Sequence, residues 1–247
     1  MIIKSNETCK DAILTANSNS INYPTTNILD SRLSRIFRTS SSTTAEIVFD
    51  CVTAVSVDTI GIANHNITSS VTTLKVQGNA TDSWGSPSVD ETLTYNSGII
   101  TNDFTGGSYR YWRIQIIDAT NPDGFIEIGR AWIGEKYQLS EILPSIEHQA
   151  VDPSIVTRTA ANQTYGDIRT GYDIIDVSFP VVPYAEKTEL FDIFRDIGSY
   201  TPTFFIFGEV GIDKPSIYGT INQGSLSASM LNDGLNYSIG FSIIEEL

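Results

Sequence analysis

The side chains that could do chemistry are few and far apart. His65 and His148 are the only histidines, and neither has a second metal-binding residue at a coordinating spacing. Cys9 and Cys51 are the only cysteines, too few for a tetrahedral zinc site by themselves. The opening MIIKSNETCKD lacks the apolar core of an export signal, so free, buried thiols are expected rather than a disulfide. The paired carboxylates Asp90-Glu91 and Glu245-Glu246 are adjacent in sequence. In a strand each pair would point to opposite faces and could not share one substrate. No Gly-x-Ser-x-Gly elbow, phosphate-binding loop or dinucleotide glycine fingerprint is present. The expectation is a binding or structural protein without enzyme activity or cofactor.

One stretch gathers more interaction chemistry than the rest. GSYRYWRIQIIDATNPDGFIEIGRAWIGE, residues 107–135, holds two of the three tryptophans. Alternation in YRYWRIQIID places Tyr111, Arg113 and Gln115 on one face and Trp112, Ile114 and Ile116 on the other. NPDG supplies turn residues, with Gly124 free to take a positive φ. The segment therefore reads as a hairpin that buries Trp112 and Trp132. A second reading uses Tyr111 and Arg113 as a platform for a glycan.

These residues need a scaffold of strands. AEIVFDC (45–51), VDTIGIAN (57–64), TTLKVQGNA (72–80), YWRIQIID (111–118) and FIEIGRAWIGE (125–135) alternate or run apolar between polar connectors such as RTSSSTTA. The fold class is mainly β: an N-terminal jelly-roll sandwich followed by a C-terminal α+β domain with a barrel-like sheet and one helix. Domains are expected at 1–140 and 150–247, with YQLSEILPSIEHQAVDPS as the change of texture between them. In the second domain, AEKTELFDIFRDIG puts Leu190, Phe191, Phe194 and Ile197 on one face of a helix over 184–197 that stops at Gly198. The preceding IVTRTAANQTYGDIRTGYDIIDVSFPVV reads as two strands joined at YGDIRTGY.

Charge narrows the partners. The chain carries a net charge of −14 with a pI near 4.4. A surface of that sign repels phosphate backbones, which argues against nucleic acid bound through a basic face. No apolar run reaches the roughly 18 residues of a membrane span. From residue 141 onward there are five basic and fifteen acidic residues, so −10 of the total lies in the second domain. Arg158 and Arg169 are two of those five bases. They are candidates for pairs across subunits, because a guanidinium suits partly buried carboxylates.

The first half resembles the galactose-binding-like family of discoidin and coagulation-factor C-type jelly rolls. The likeness runs over about residues 20–135. It lies in YPTTNILDSRLSRIFRTSSSTTAEIVFD, VDTIGIAN and the closing YRYWRIQIID…FIEIGRAWIGE hairpin. It implies ligand loops at one end of the sandwich, often with calcium in an early loop. NILDSRLS occupies that position, with Asn27 and Asp30 as candidate oxygen ligands. A turn capped by the same two residues is the alternative. The second half, from about residue 155, is similar to distal tail and tail-tip proteins of long-tailed bacteriophages in TGYDIIDVSFPVVPYAEKTELFDIFRDIGSYTPTFFIF. That likeness implies a homo-oligomeric ring around a tail tube, built by the C-terminal domain with the jelly roll outward. Other phage tail proteins would be its partners, and it would be found in the virion after assembly in the host cytoplasm. The competing reading is a carbohydrate-binding or host-adhesion module.

Overall fold

The computed structural model describes residues 1–139, 145–207 and 216–247, with the side chains of Lys4 and Ser5 left aside. The chain divides into two compact units, Ile2–Tyr137 and Gln138–Leu247, with Met1 counted in the second.

The first unit contains β1 (Ile2–Asn6), β2 (Ile13–Ala16), a 3-10 turn η1 (Thr25–Leu29), β3 (Phe37–Arg38), β4 (Thr44–His65), β5 (Thr73–Asn79), β6 (Val89–Thr92), β7 (Ile100–Ile117) and β8 (Glu127–Gln138). The strands read as 45–51 and 57–64 are one long element. β4 pairs antiparallel with β7 over Thr44–Asp50, the ladder breaks between Asp50 and Val55, and pairing resumes through Ile62. Val52 stands in the break at a φ of 65°. A bulge of this kind adds unpaired residues to one strand and bends it. Beyond the bend β4 takes β8 as its second partner, from Thr59 to His65. Before the bend it pairs with β2, while β7 pairs with β5 and β5 with β6.

The two halves of these bent strands share one core. Ala45, Ile47 and Phe49 from the first half of β4 and Ile60 and Ile62 from the second belong to a single buried cluster. Trp112, Ile114, Ile116, Ile128 and Ile133 complete its centre. Trp112 is fully buried, and its indole N–H donates to the Tyr109 carbonyl at 3.2 Å. It lies directly across the ladder from Gly78, where a Cβ would stand 2.6 Å from the indole ring. Trp132 is buried as well. The NPDG turn forms as its residues dictate, with Gly124 at a φ of 71° and its N–H donating to the Asn121 carbonyl at 3.1 Å.

The second unit contains β9 (Ser145–Val151), β10 (Ile155–Arg158), β11 (Thr164–Asp167), β12 (Tyr172–Pro183), α1 (Tyr184–Ile197), β13 (Thr203–Ile206), β14 (Ser216–Ile221), β15 (Ala228–Met230) and β16 (Asn236–Glu245). The sheet order is β13-β14-β16-β12-β9, with β15 added to β16. With helix α1 this is the α+β unit expected from sequence. Helix α1 spans the expected residues. Pro183 precedes it, and Gly198 ends it at a φ of 62° with its N–H bonded to the Phe194 carbonyl at 2.9 Å. Leu190 and Ile197 are buried, and the helix meets β12 and β16. Phe191 and Phe194 are only half-buried, and the Lys187 ammonium lies 4.9 Å from the Phe191 ring.

Two sequence readings of this unit change. The first seven residues from Ser145 form β9, paired along β12 from Ser178 to Tyr172. Their side chains are mostly exposed, so no alternation marked them as a strand. The stretch before α1 holds three strands instead of two: YGDIRTGY carries the end of β11 and, at 168–171, the link to β12, and a further turn at 159–163 joins β10 to β11. There the Thr159 N–H donates to the Gln163 carbonyl at 2.9 Å. The end of the apolar run PTFFIFGEV falls outside the described residues.

Two stability outcomes follow from the packing. Trp112→Ala leaves a large void opposite Gly78 and is expected to cost about 3–5 kcal/mol. Chemical denaturation of the two proteins measures it, and superimposable curves would contradict the burial of this ring. Phe191→Pro removes a helical hydrogen bond in mid-helix at about 3 kcal/mol or more. Limited proteolysis should then cut the second unit while the first stays resistant.

Candidate ligand-binding face

The outer side of the first sheet is a grid set by strand register. Asp50, Tyr111 and Asn79 lie in one row across β4, β7 and β5. Val48, Arg113 and Gln77 form the next, and Glu46, Gln115 and Lys75 the third. Asp90 of β6 extends the middle row beside Gln77. Residues directly opposite on one face approach closely enough for side chains to bond, and here they do. Arg113 Nε donates to Gln77 Oε1 at 2.8 Å, and its Nη1 lies 3.4 Å from Glu46 Oε1. Gln77 Nε2 donates to Asp90 Oδ1 at 2.9 Å, and Lys75 Nζ donates to Asp90 Oδ2 at 3.0 Å. Gln115 Nε2 donates to Glu46 Oε1 at 3.0 Å.

A tryptophan that the sequence reading passed over sits on this grid. Trp84 belongs to the loop between β5 and β6, and the Arg113 guanidinium carbon lies 4.7 Å from its ring centroid. Its indole N–H donates to Asp82 Oδ1 at 2.7 Å, and Asn79 Nδ2 donates to the Ser83 carbonyl at 2.7 Å, which ties the loop to β5. Trp84 is half-buried while Arg113 is only 8% exposed. Burial lowers the Arg113 pKa from its ordinary value, against the opposing pull of Glu46, Asp82 and Asp90. Beside it, Asp50 accepts two bonds from Arg110, at 2.7 and 2.8 Å, and that guanidinium lies 4.8 Å from the Tyr111 ring. The Arg110 bonds hold the Asp50 carboxyl below the usual range. Tyr111 and Arg113 therefore share one face as the alternation implied, but Arg113 is covered rather than open. The signal for Trp84 was a lone aromatic in the polar loop TDSWGSPS.

The other candidates lie apart. Asn27 Nδ2 donates to the Ile36 carbonyl at 2.8 Å. Asp30 caps the Arg32 N–H at 3.0 Å and accepts from the Arg32 guanidinium at 2.9 and 2.7 Å and from Arg35 at 3.3 Å. Both Asp30 oxygens are thus committed to arginines, and the capped-turn reading describes the loop better than a calcium site. No group of three or more His, Cys, Asp or Glu side chains gathers among the described residues. Arg169 pairs with Asp167 of its own hairpin at 3.1 Å, and Arg158 is exposed with no ion pair among the described residues. His65 accepts the Ile67 N–H on Nδ1, and burial lowers its pKa. His148 lies 3.3 Å from Asp173. Cys9 and Cys51 are free thiols with sulfurs 2.7 Å apart, and that hydrogen bond together with burial pushes the Cys9 thiol up.

Comparison with known proteins adds a limited frame. No protein-family model matches, and no curated protein matches. Among solved structures, the chain is similar to chitosan-binding module 1 of a chitosanase/glucanase from Paenibacillus sp. IK-5, at 14% identity and a TM-score of 0.43, over 53% of this chain and 99% of that one. It is similar to the family 32 carbohydrate-binding module of Clostridium perfringens NanJ in complex with galactose, at 14% identity and a TM-score of 0.43, over 56% and 100%. It is also similar to a Streptococcus pneumoniae fucose-binding module, at 12% identity and a TM-score of 0.43, over 53% and 95%. Among the described residues no helix is long and apolar enough to cross a membrane.

The Asp30 arrangement has a measurable sign. Its hydrogen bonds from Arg32, then the nearby Arg35 charge, hold the carboxyl well below the ordinary range. A folded pKa below the unfolded one stabilises above about pH 3.9, and the contribution disappears as pH falls through the lower folded value. Carboxyl NMR titration should place Asp30 below an ordinary aspartate, and Arg32→Met should raise its midpoint toward that value. An unchanged midpoint in Arg32→Met would show that the pairing does not hold in solution.

Proposed function

We propose that the protein is a glycan-binding adhesion module whose jelly roll meets the sugar. The observation that carries this reading is the outer grid of the first sheet, with the half-buried rings of Trp84 and Tyr111 set among Asn79, Asp50, Gln77 and Arg113. A sugar ring presents an apolar C–H face and a rim of hydroxyls. Recognition of such a ligand needs an aromatic surface and a few fixed polar groups around it. The network here holds those groups in place before any ligand arrives, which reduces the ordering cost of binding. A net charge of −14 disfavours sialylated or sulfated glycans and favours neutral or amine-bearing ones. A glycan array with the full chain tests this directly. Binding to neutral or amino sugars is expected, and calorimetry should show Trp84→Ala at least about tenfold weaker, the loss of roughly 1.4 kcal/mol. An array without any bound sugar, or full affinity in Trp84→Ala, sinks the reading.

A second reading is favoured by one observation in the other unit. Every residue of β10 and β11 is exposed, and the two form a sheet of their own. A two-stranded ribbon alone is marginal in water, so it needs a surface to lie on. That supports a structural role in a virion tail tip or baseplate, as a homo-oligomeric ring formed through the second unit. Imaging of native particles tests it: copies touching through this unit are expected, and an isolated copy there removes the reading.

A further inference from the structure

We infer that the second unit associates head to tail, with the β10–β11 hairpin of one copy seated in an acidic basin on the next copy. The inference rests on the assembly reading above and names the two surfaces that make the contact.

The basin lies on the outer face of the sheet formed by β9, β12 and β16. It has a volume of about 520 Å³, lined in part by Glu147, Asp176, Ser178, Gln223 and Ser242. Register explains why these side chains meet. Asp176 is opposite both Glu147 and Ser242, and Ser178 is opposite Gly240. Gly240 has no side chain to fill the floor, and a Cβ there would touch only the Val177 carbonyl at 3.4 Å and Ser178 Oγ at 4.0 Å. Asp176 accepts a bond from Gln149 at 2.9 Å, while Glu147 has no ion pair among the described residues. The basin is therefore open and carries two carboxylates, with Ile146, Val177 and Phe241 also in its lining.

The hairpin is its complement. Residues 153–171 carry Arg158, Arg169 and Asp167 as their only charges, a net of +1 in a unit of −10. Arg169 is already engaged by Asp167, so Arg158 is the cation left over. In the ladder Arg158 faces Thr164, and Val156 faces Gly166, so one side of the ribbon is small apart from Arg158 and Val156. Val156 is 61% exposed and Ile168 is 89% exposed, apolar surface left uncovered by the described residues. The occupant that fits is a second copy, since each copy supplies both the spare cation and the acidic basin.

Placement makes the contact head to tail. The hairpin leaves the β9–β12 ribbon at the Val151–Tyr172 end, and the basin lies at the Ser145–Ser178 end. Three residues of strand separate Glu147 of the basin from Val151, a span of about 13 Å at the usual rise. A contact between two different patches of this kind repeats from copy to copy, and it closes into a ring where the rotation allows.

Sedimentation velocity on the full chain over a concentration series tests the contact. The wild type should self-associate, more weakly as salt is raised because the partners are charged. Arg158→Glu and Glu147→Arg each reverse an exposed charge outside the core, so both variants should fold. Each should weaken association by about tenfold or more, and the double variant should recover it. If the wild type associates but the single reversals do not weaken it, or the double variant does not recover, the hairpin-to-basin contact is wrong while assembly stands. A wild type that remains monomeric at every concentration overturns both.

Discussion

The first unit depends on the ladder between β4 and β7. These two strands bend together where the register breaks between Asp50 and Val55, and each then serves both halves of the sandwich. Because they stay paired on both sides of the bend, the buried residues before and after it face one core instead of two. Trp112 sits just beyond the break, opposite Phe49 on one side and Gly78 on the other. Its size requires the glycine: the indole occupies the space that any side chain at 78 would take. Side-chain period then does the rest. With Trp112 inward, Tyr111 and Arg113 must face outward, so the core and the candidate face are two consequences of one register.

The outward face has a problem of its own. Arg113 lies in the middle of the sheet, and Trp84 excludes much of the water from its guanidinium. A buried charge without partners would be strongly destabilising. Gln77 and Glu46 supply those partners, Asp90 holds Gln77 in turn, and Lys75 holds Asp90. The result is a rigid polar network under an aromatic ring. The same chemistry at Arg38 shows that the chain uses this device more than once: its guanidinium lies between Tyr23 and Phe125, 4.4 and 4.3 Å from their centroids, and bonds Glu127. The Arg38 site joins loops, so its role is to pin them. The Trp84 loop differs in leaning over the outer side of the sheet, where Tyr111 and Asn79 stand beside it, which is why the binding reading attaches there.

How much of this was legible in sequence varies with the physics of each element. The alternation in β4 and β7 was plain because half of each strand is buried in one core, and alternation is the direct record of that. The helix was legible through its spacing and Gly198, although the sheet covers only Leu190 and Ile197 fully. β9 was not legible, since an edge strand with both faces largely wet carries no pattern. The turn between β10 and β11 was not legible for the same reason: every residue of the two strands is exposed, so burial imposes no period on them. Trp84 was missed because its position depends on the Asn79 and Asp82 bonds that shape its loop, and neither is a periodic signal. Asp30 was legible as a polar loop residue, but its partners Arg32 and Arg35 decide what that carboxylate does.

The second unit shows why an exposed strand pair and an acidic sheet belong together. Among the described residues β9 ends the sheet order, with no strand paired to its outer edge. Such an edge would recruit any other strand, including that of a second copy. Glu147 on β9 and Asp176 on the neighbouring β12 place negative charge beside that edge, and like charges opposed across two identical edges repel. Symmetric edge-to-edge pairing is therefore disfavoured by the same carboxylates that favour a basic visitor. Arg158, at the far end of β10 from the sheet, is the one base of the hairpin with no ion pair among the described residues. Charge would thus separate two modes of association that backbone hydrogen bonding alone would not distinguish, and the proposed contact is the one in which unlike surfaces meet.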